Sequence, residues 1–202
     1  MSNFETALKQ SFTTKKELRE WFKNNHLKEK EIYIKFYNKS SGVTSVDYSE
    51  ALDEALCVGW IDSVVKKVTP DDDSRYQRFT PRRENSYWSY RNITKMEVLI
   101  SKGLVLPNGK EVFENRPTKD KDEVYQQENP TLSKDFKQQI KLKTSQEGYD
   151  FYKDQSESYH KRVAKYVMSP KREHTRVNRV EELIVSLNSQ TNIFKRIKNV
   201  HI

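Results

Sequence analysis

The chain has 202 residues, 34% apolar and 33% charged, and its 11% of aromatic side chains bury enough area for a modest core, which excludes wholesale disorder. One cysteine excludes an intrachain disulfide, no apolar run reaches the ~20 residues of a membrane span, and the N-terminal stretch lacks a signal peptide's apolar segment, so a cytoplasmic location is expected. The net charge of +8 favours anionic partners: nucleic acid, a phosphorylated metabolite, or an acidic protein or membrane surface; the plainer reading of the same charge is solubility.

Thr14 and Glu17 have capping-box spacing, and Leu18, Trp21 and Phe22 then share one helical face, which predicts a helix over 14–26. Residues 31–37 alternate strictly, with Ile32, Ile34 and Phe36 on one side, and predict a half-buried strand. A turn around Gly42 follows. Asp47 and Glu50 repeat the capping signature ahead of a helix with Ala51, Leu52, Ala55 and Leu56 inward, and Gly59 is its natural stop. Residues 61–68 and 75–80 read as strands of a hairpin joined by the acidic turn Pro70 to Asp73. Ser86 or Ser89 caps the next helix, which carries Ile93, Met96, Leu99 and Ile100 and ends at Gly103; Leu104 to Gly109 reads as a turn.

From Arg116 to Pro130 the sequence is polar, charged and bracketed by prolines, and reads as a linker. Beyond it only helical periodicity remains: a weak stripe over 133–144, then Tyr159, Val163, Tyr166 and Val167 before Pro170, then Val177, Val180, Leu183, Ile184 and Leu187. The expected fold is α+β: a domain over 1–115 with a small antiparallel sheet packed by helices, a linker over 116–130, and a small all-α domain over 131–202.

Three sets of residues carry candidate chemistry. Trp60 and Asp62 follow the helix-ending glycine; they read either as a ligand-facing aromatic and carboxylate at a pocket mouth, or as core and a capping or ion-paired acid. Arg75, Arg78, Arg82, Arg83, Arg91 and Lys95 stand against Glu84 alone and are interleaved with Tyr76, Tyr87, Trp88 and Tyr90. Guanidinium forks match phosphate or carboxylate, and the amides at Ser86 to Ser89 open a helix, so an anion site is one reading; an exposed basic hairpin is the other. In the helical part Lys161, Arg162, Lys165, Lys171, Arg172, Arg176 and Arg179 stand against Glu173, either as a polyanion-binding stripe or as a solvated face. Cys57 lies on the apolar side of its helix and reads as a small core residue rather than a nucleophile. His26, His160, His174 and His201 have no metal-ligand spacing, and no glycine-rich phosphate loop or nucleophile elbow occurs, so no metal, cofactor or catalytic residue is expected.

The order CVGWID (57–62), RFTPRR (78–83) and SYWSYRN (86–92) resembles the YdeI/OmpD-associated family, the bacteriocin-protection proteins. Its members look like A-L-C-F-G-W-I-D, R-F-T-P-R-R and S-x-W-S-x-x-N; here Val58 replaces the usual Phe. Gly103 and Pro107-Asn108-Gly109 resemble the close of that region, and Tyr159 to Val180 resembles the family's C-terminal helical module, with Ser169-Pro170 in place of Ala-Lys. The resemblance implies a role in bacteriocin or antimicrobial-peptide and stress tolerance, and names no reaction. The expectation is a cytoplasmic binding protein that takes an anionic small molecule or an acidic protein surface at Trp60, Asp62, Arg78, Arg82, Arg83, Ser86, Trp88, Ser89 and Asn92. The alternatives are nucleic-acid binding through segments 75–95 and 161–179, with Lys161, Arg162, Lys165, Arg172, Arg176 and Arg179 as contacts, and an enzyme with a site near Asp62.

Overall fold

The computed structural model describes residues 4–67, 69, 73–118 and 120–196. The chain divides into two compact units, Met1–Val124 and Tyr125–Ile202. The first is α+β and the second all helical.

In the first unit four strands form one sheet, β1 (Lys9–Gln10), β2 (Ile32–Tyr37), β3 (Trp60–Lys66) and β4 (Ser74–Pro81), in the order β1-β2-β4-β3. Ile32 pairs with Phe79 and Trp60 with Pro81, both antiparallel, as the alternation predicts. The short β1, which has no periodic signal, adds to β2 in parallel. The acidic turn lies outside the described residues except for Asp73, whose carbonyl accepts from Asn38 N at 2.7 Å. The β3–β4 register slips between Asp62 and Val65. There the buried Gln77 donates to the Ser63 carbonyl at 3.0 Å and to Asp62 at 3.3 Å, which satisfies groups the ladder leaves open.

Helices α1 (Lys15–Asn25) and α2 (Tyr48–Cys57) start at the two expected capping boxes, closed by Thr14 with Glu17 and by Asp47 with Glu50. They bury Leu18, Phe22, Ala51 and Ala55 against Ile32, Ile34, Phe36 and Phe79 of the sheet. Each such large side chain taken from water contributes roughly 1.5–3 kcal/mol. One charge pair is built into this layer. Glu54, 1% exposed, accepts from Arg19 at 2.8 Å, and Arg19 also donates to the Leu104 carbonyl at 2.7 Å.

A second cluster, containing Leu52, Leu56, Cys57, Trp88, Ile93, Met96 and Phe113, lies beneath α3 (Tyr90–Ser101) and α4 (Pro107–Glu114). The expected turn over Leu104 to Gly109 is corrected here: Pro107 is the first residue of α4, where its missing N–H costs nothing.

The stretch read as a linker contains α5 (Lys121–Glu128). The second unit continues with α6 (Lys134–Lys143), α7 (Gln146–Lys153), α8 (Glu157–Met168), α9 (Glu173–Asn188) and α10 (Ile193–Arg196). Serines 133, 145 and 156 cap α6, α7 and α8. Phe136, Ile140, Val163, Val167, Val180, Leu183 and Leu187 meet in one core. Among the described residues no helix is long and apolar enough to cross a membrane.

Candidate functional site

The exit from β4 builds one wall of a polar cavity in the first unit. Arg82 N donates to the Gly59 carbonyl at 3.0 Å, and Ser86 N closes a tight turn on the Arg83 carbonyl at 3.2 Å. Asn85 within that turn has φ 59°, a left-handed conformation that asparagine tolerates better than most residues. The turn drops Trp88 into the core at 3% exposure and lays the Arg82 guanidinium over its ring at 3.7 Å. Nη1 of Arg82 donates to Ser86 Oγ at 3.2 Å and to the Tyr87 carbonyl at 3.1 Å.

From the other side α4 supplies Phe113, whose ring meets Trp88 edge to face at 5.1 Å. Arg116 lies over Phe113 at 4.0 Å and donates to its carbonyl at 2.8 Å. Two guanidiniums thus flank a pair of edge-to-face rings inclined at 67°. Both arginines line a cavity of about 370 Å³, together with Arg83, Ser86, Asn108 and Asn115; Glu84 and Glu111 are the carboxylates on its wall.

Arg82 is the unusual group. Burial pulls its guanidinium down to about 10, and the field of Asp62 only partly opposes this. Among the described residues no carboxylate lies within ion-pair distance of it, and its Nε is buried without a hydrogen-bond partner. A cation taken from water without a counter-charge is costly. A small anion placed in the cavity would supply that charge. It would find a guanidinium face, the Ser86 hydroxyl, whose oxygen already accepts from Arg82 and whose proton remains to donate, and the amides of Asn108 and Asn115. The Asn108 amide is fixed by donation to the Val58 carbonyl at 2.8 Å.

Of the nine residues expected to bind ligand, the cavity gathers Arg82, Arg83, Ser86 and Trp88. The other five lie elsewhere. Trp60 is 1% exposed and packs edge to face on Phe22 and Trp21; its Nε1 donates to the His26 carbonyl at 3.2 Å, so it is core. Asp62 accepts from the Tyr48 hydroxyl at 2.9 Å and from Gln77. Arg78 is paired with Glu31 at 2.6 Å. Ser89 caps α3 by accepting from the backbone N–H of Asn92 at 3.2 Å, and neither residue lines the cavity. Asn108 and Arg116 also line the cavity, with Phe113 packed behind it on Trp88, and none of the three stands out in the sequence, where α4 reads as a turn leading into a linker. Pro107 and then Lys110 to Glu114 are the available signal for that helix.

Cys57 is buried beside Leu52 and Leu56, and burial, aided by Glu54, pushes its thiol up to about 11. A nucleophile needs the opposite. Among the described residues no group of three His, Cys, Asp or Glu side chains could hold a metal.

The basic set of the second unit is partly committed. Arg162 stacks on Phe194 at 3.9 Å, Arg176 donates to the Pro170 carbonyl at 2.8 Å, and Arg179 to the Tyr166 carbonyl at 2.5 Å and Ser169 at 3.1 Å. Arg176 and Arg179 therefore hold the α8–α9 turn that Ser169-Pro170 shapes. Lys161 pairs with Glu157 at 2.7 Å on an open surface, while Lys165 and Arg172 are exposed.

Comparison with known proteins divides the chain at a similar place. Residues 10–112 match the family model described as Domain of unknown function (DUF8412). Residues 129–190 match the model described as Bacteriocin-protection, YdeI or OmpD-Associated, so that likeness is carried by the helical module, and Cys57 to Asn92 falls within the first match. No curated protein and no solved structure matches the chain. The chain thus belongs, through its first half, to the family of the domain of unknown function DUF8412, and its helical module is of the bacteriocin-protection, YdeI or OmpD-associated type.

Proposed function

We propose that this is a binding protein of the YdeI/OmpD-associated type whose first unit takes a small anion, a carboxylate or a phosphate, in the cavity between the Arg82–Trp88 turn and α4. The observation that carries this reading is the half-buried Arg82 guanidinium, its Nε wholly buried, stacked on Trp88 and without a carboxylate partner among the described residues. Arg83 at the exposed rim would draw the anion in, and Arg116, just past the end of α4, would face it from the other wall. A cytoplasmic place and a part in bacteriocin or stress tolerance belong to the same reading. Its support is the likeness of the helical module to the bacteriocin-protection, YdeI or OmpD-associated family.

The test is calorimetric titration with inorganic phosphate and with succinate at low salt. Saturable binding of one of them is expected to fall at least tenfold in Arg82→Met, which keeps the apolar stem over Trp88 and removes the charge. Urea unfolding of the same variant is expected to show stability close to that of the parent, since losing two hydrogen bonds is offset by removing a half-buried charge that has no counter-ion. Unchanged anion binding in Arg82→Met would end the proposal.

A further inference from the structure

The second unit contains a larger hollow, of about 690 Å³, formed by the end of α5, the segment leading into α6, and one face of α8. Its volume falls in the range of small-molecule pockets, about 300–1,000 Å³. The floor is apolar: Pro130, Leu132 and Ala164, with the ring of Tyr152. Leu132 and Ala164 are 7% and 8% exposed, so the floor is continuous with the core of the unit. Tyr152 is held edge-on by His160 at 4.6 Å.

The rim is cationic. Lys137 comes from α6, and Lys161 and Lys165 lie one helical turn apart on α8. Glu128 is the carboxylate among the lining residues. Among the described residues neither Lys137 nor Lys165 makes an ion pair, whereas Lys161 is shared with Glu157. An apolar floor under a cationic rim selects a ligand with the matching division, an apolar body and an anionic end. A purely polar anion would leave the floor unfilled, and a neutral apolar molecule would leave the ammonium groups uncompensated.

We propose that this hollow binds an amphipathic carboxylate of medium chain length, with the chain on Leu132, Pro130 and Ala164 and the carboxylate between Lys137 and Lys165. It is separate from the Arg82 cavity, stands on different residues, and survives or fails independently of it.

The experiment is calorimetric titration of the full chain with decanoate below its micelle concentration, beside decanol and decyltrimethylammonium. Decanoate is expected to saturate at one per chain, with the neutral and cationic analogues at least tenfold weaker. Lys137→Glu with Lys165→Glu is expected to weaken decanoate at least tenfold while leaving the helical circular dichroism intact, since both side chains are at the surface. Ala164→Trp, filling the floor, is expected to abolish binding. Equal affinity for decanol, decanoate binding unchanged by the double charge reversal, or no saturable binding would each overturn the assignment. Tighter binding of an acidic leucine-containing peptide would give the hollow to a protein partner and overturn it as well.

Discussion

Cys57 and Arg82 show how burial acts on groups of opposite charge type. Removing a thiol from water disfavours the thiolate, and removing a guanidinium disfavours the cation, so Cys57 moves up and Arg82 down. For Cys57 this becomes a pH prediction. Its folded value, about 11, exceeds the ordinary 9.0, so between those limits the folded state binds more protons than the unfolded state. The contribution is fully present below pH 9 and is lost as pH rises toward 11. The half-buried Tyr48 and Tyr152, each pushed from 10.0 to about 12, add the same sign of dependence above pH 10. Urea unfolding at pH 8, 9 and 10 is therefore expected to show falling stability from pH 9, with a shallower fall over pH 9–10 in Cys57→Ala. An equal slope in parent and variant would mean the thiolate is reached without unfolding. Two roles were open for this cysteine in the sequence, and its position among Ala and Leu already favoured the core; the size of the burial was not visible there.

At the scale of elements, α4 decides whether the Arg82 cavity exists. Its start satisfies the end of α2: Leu106 N donates to the Cys57 carbonyl at 2.8 Å and Asn108 to the Val58 carbonyl, groups a helix C-terminus leaves unpaired. This contact requires Gly109, because a Cβ there would overlap the Cys57 carbonyl oxygen. Gly109→Ala is expected to cost about 1–3 kcal/mol by overpacking. It should also weaken phosphate or succinate binding by shifting Phe113 and Arg116 away from Trp88 and Arg82. Lys110→Ala, exposed on the same helix, is expected to stay within about 0.5 kcal/mol of the parent. If Gly109→Ala matched the Lys110 variant in both measurements, the close approach would not set the cavity. Capped and strictly patterned elements were legible in the sequence: α1, α2, β2 and the hairpin strands all appear where Thr14, Asp47 and the alternation at Ile32 to Phe36 place them. The short α4, α5 and α7 were not. Eight residues give too few turns for periodicity to show, and their positions depend on what they pack against. For the same reason half the site was legible. The turn RFTPRR to Trp88 is local in the chain, whereas its meeting with Phe113 and Arg116 is a product of packing.

At the scale of the whole molecule the question is what the positive charge does. Residues 116–202 hold 18 Lys/Arg against 12 Asp/Glu, and the sequence alone leaves open a polyanion-binding face over 161–179. The structure divides the seven basic residues of that face. Arg162, Arg176 and Arg179 are occupied: Arg162 lies over the Phe194 ring of α10, Arg176 holds the Pro170 carbonyl, and Arg179 ties α9 to the Tyr166 carbonyl of α8. Lys165, Lys171 and Arg172 are exposed, and Lys161 is held only by a surface pair of the kind worth about 0–1 kcal/mol. Each cation that neutralises a DNA phosphate steepens the salt dependence of log K by about 0.9. Four available cations therefore set a slope of about −4, and all seven would set about −6. Fluorescence titration of a short duplex between 50 and 200 mM salt is expected to show weak binding with the shallower slope. A slope near −6, with tight binding persisting in Lys165→Ala and Arg172→Ala, would mean that the committed arginines leave their intramolecular partners for phosphate. Nucleic acid, rather than a small anion, would then be the natural partner of this charge.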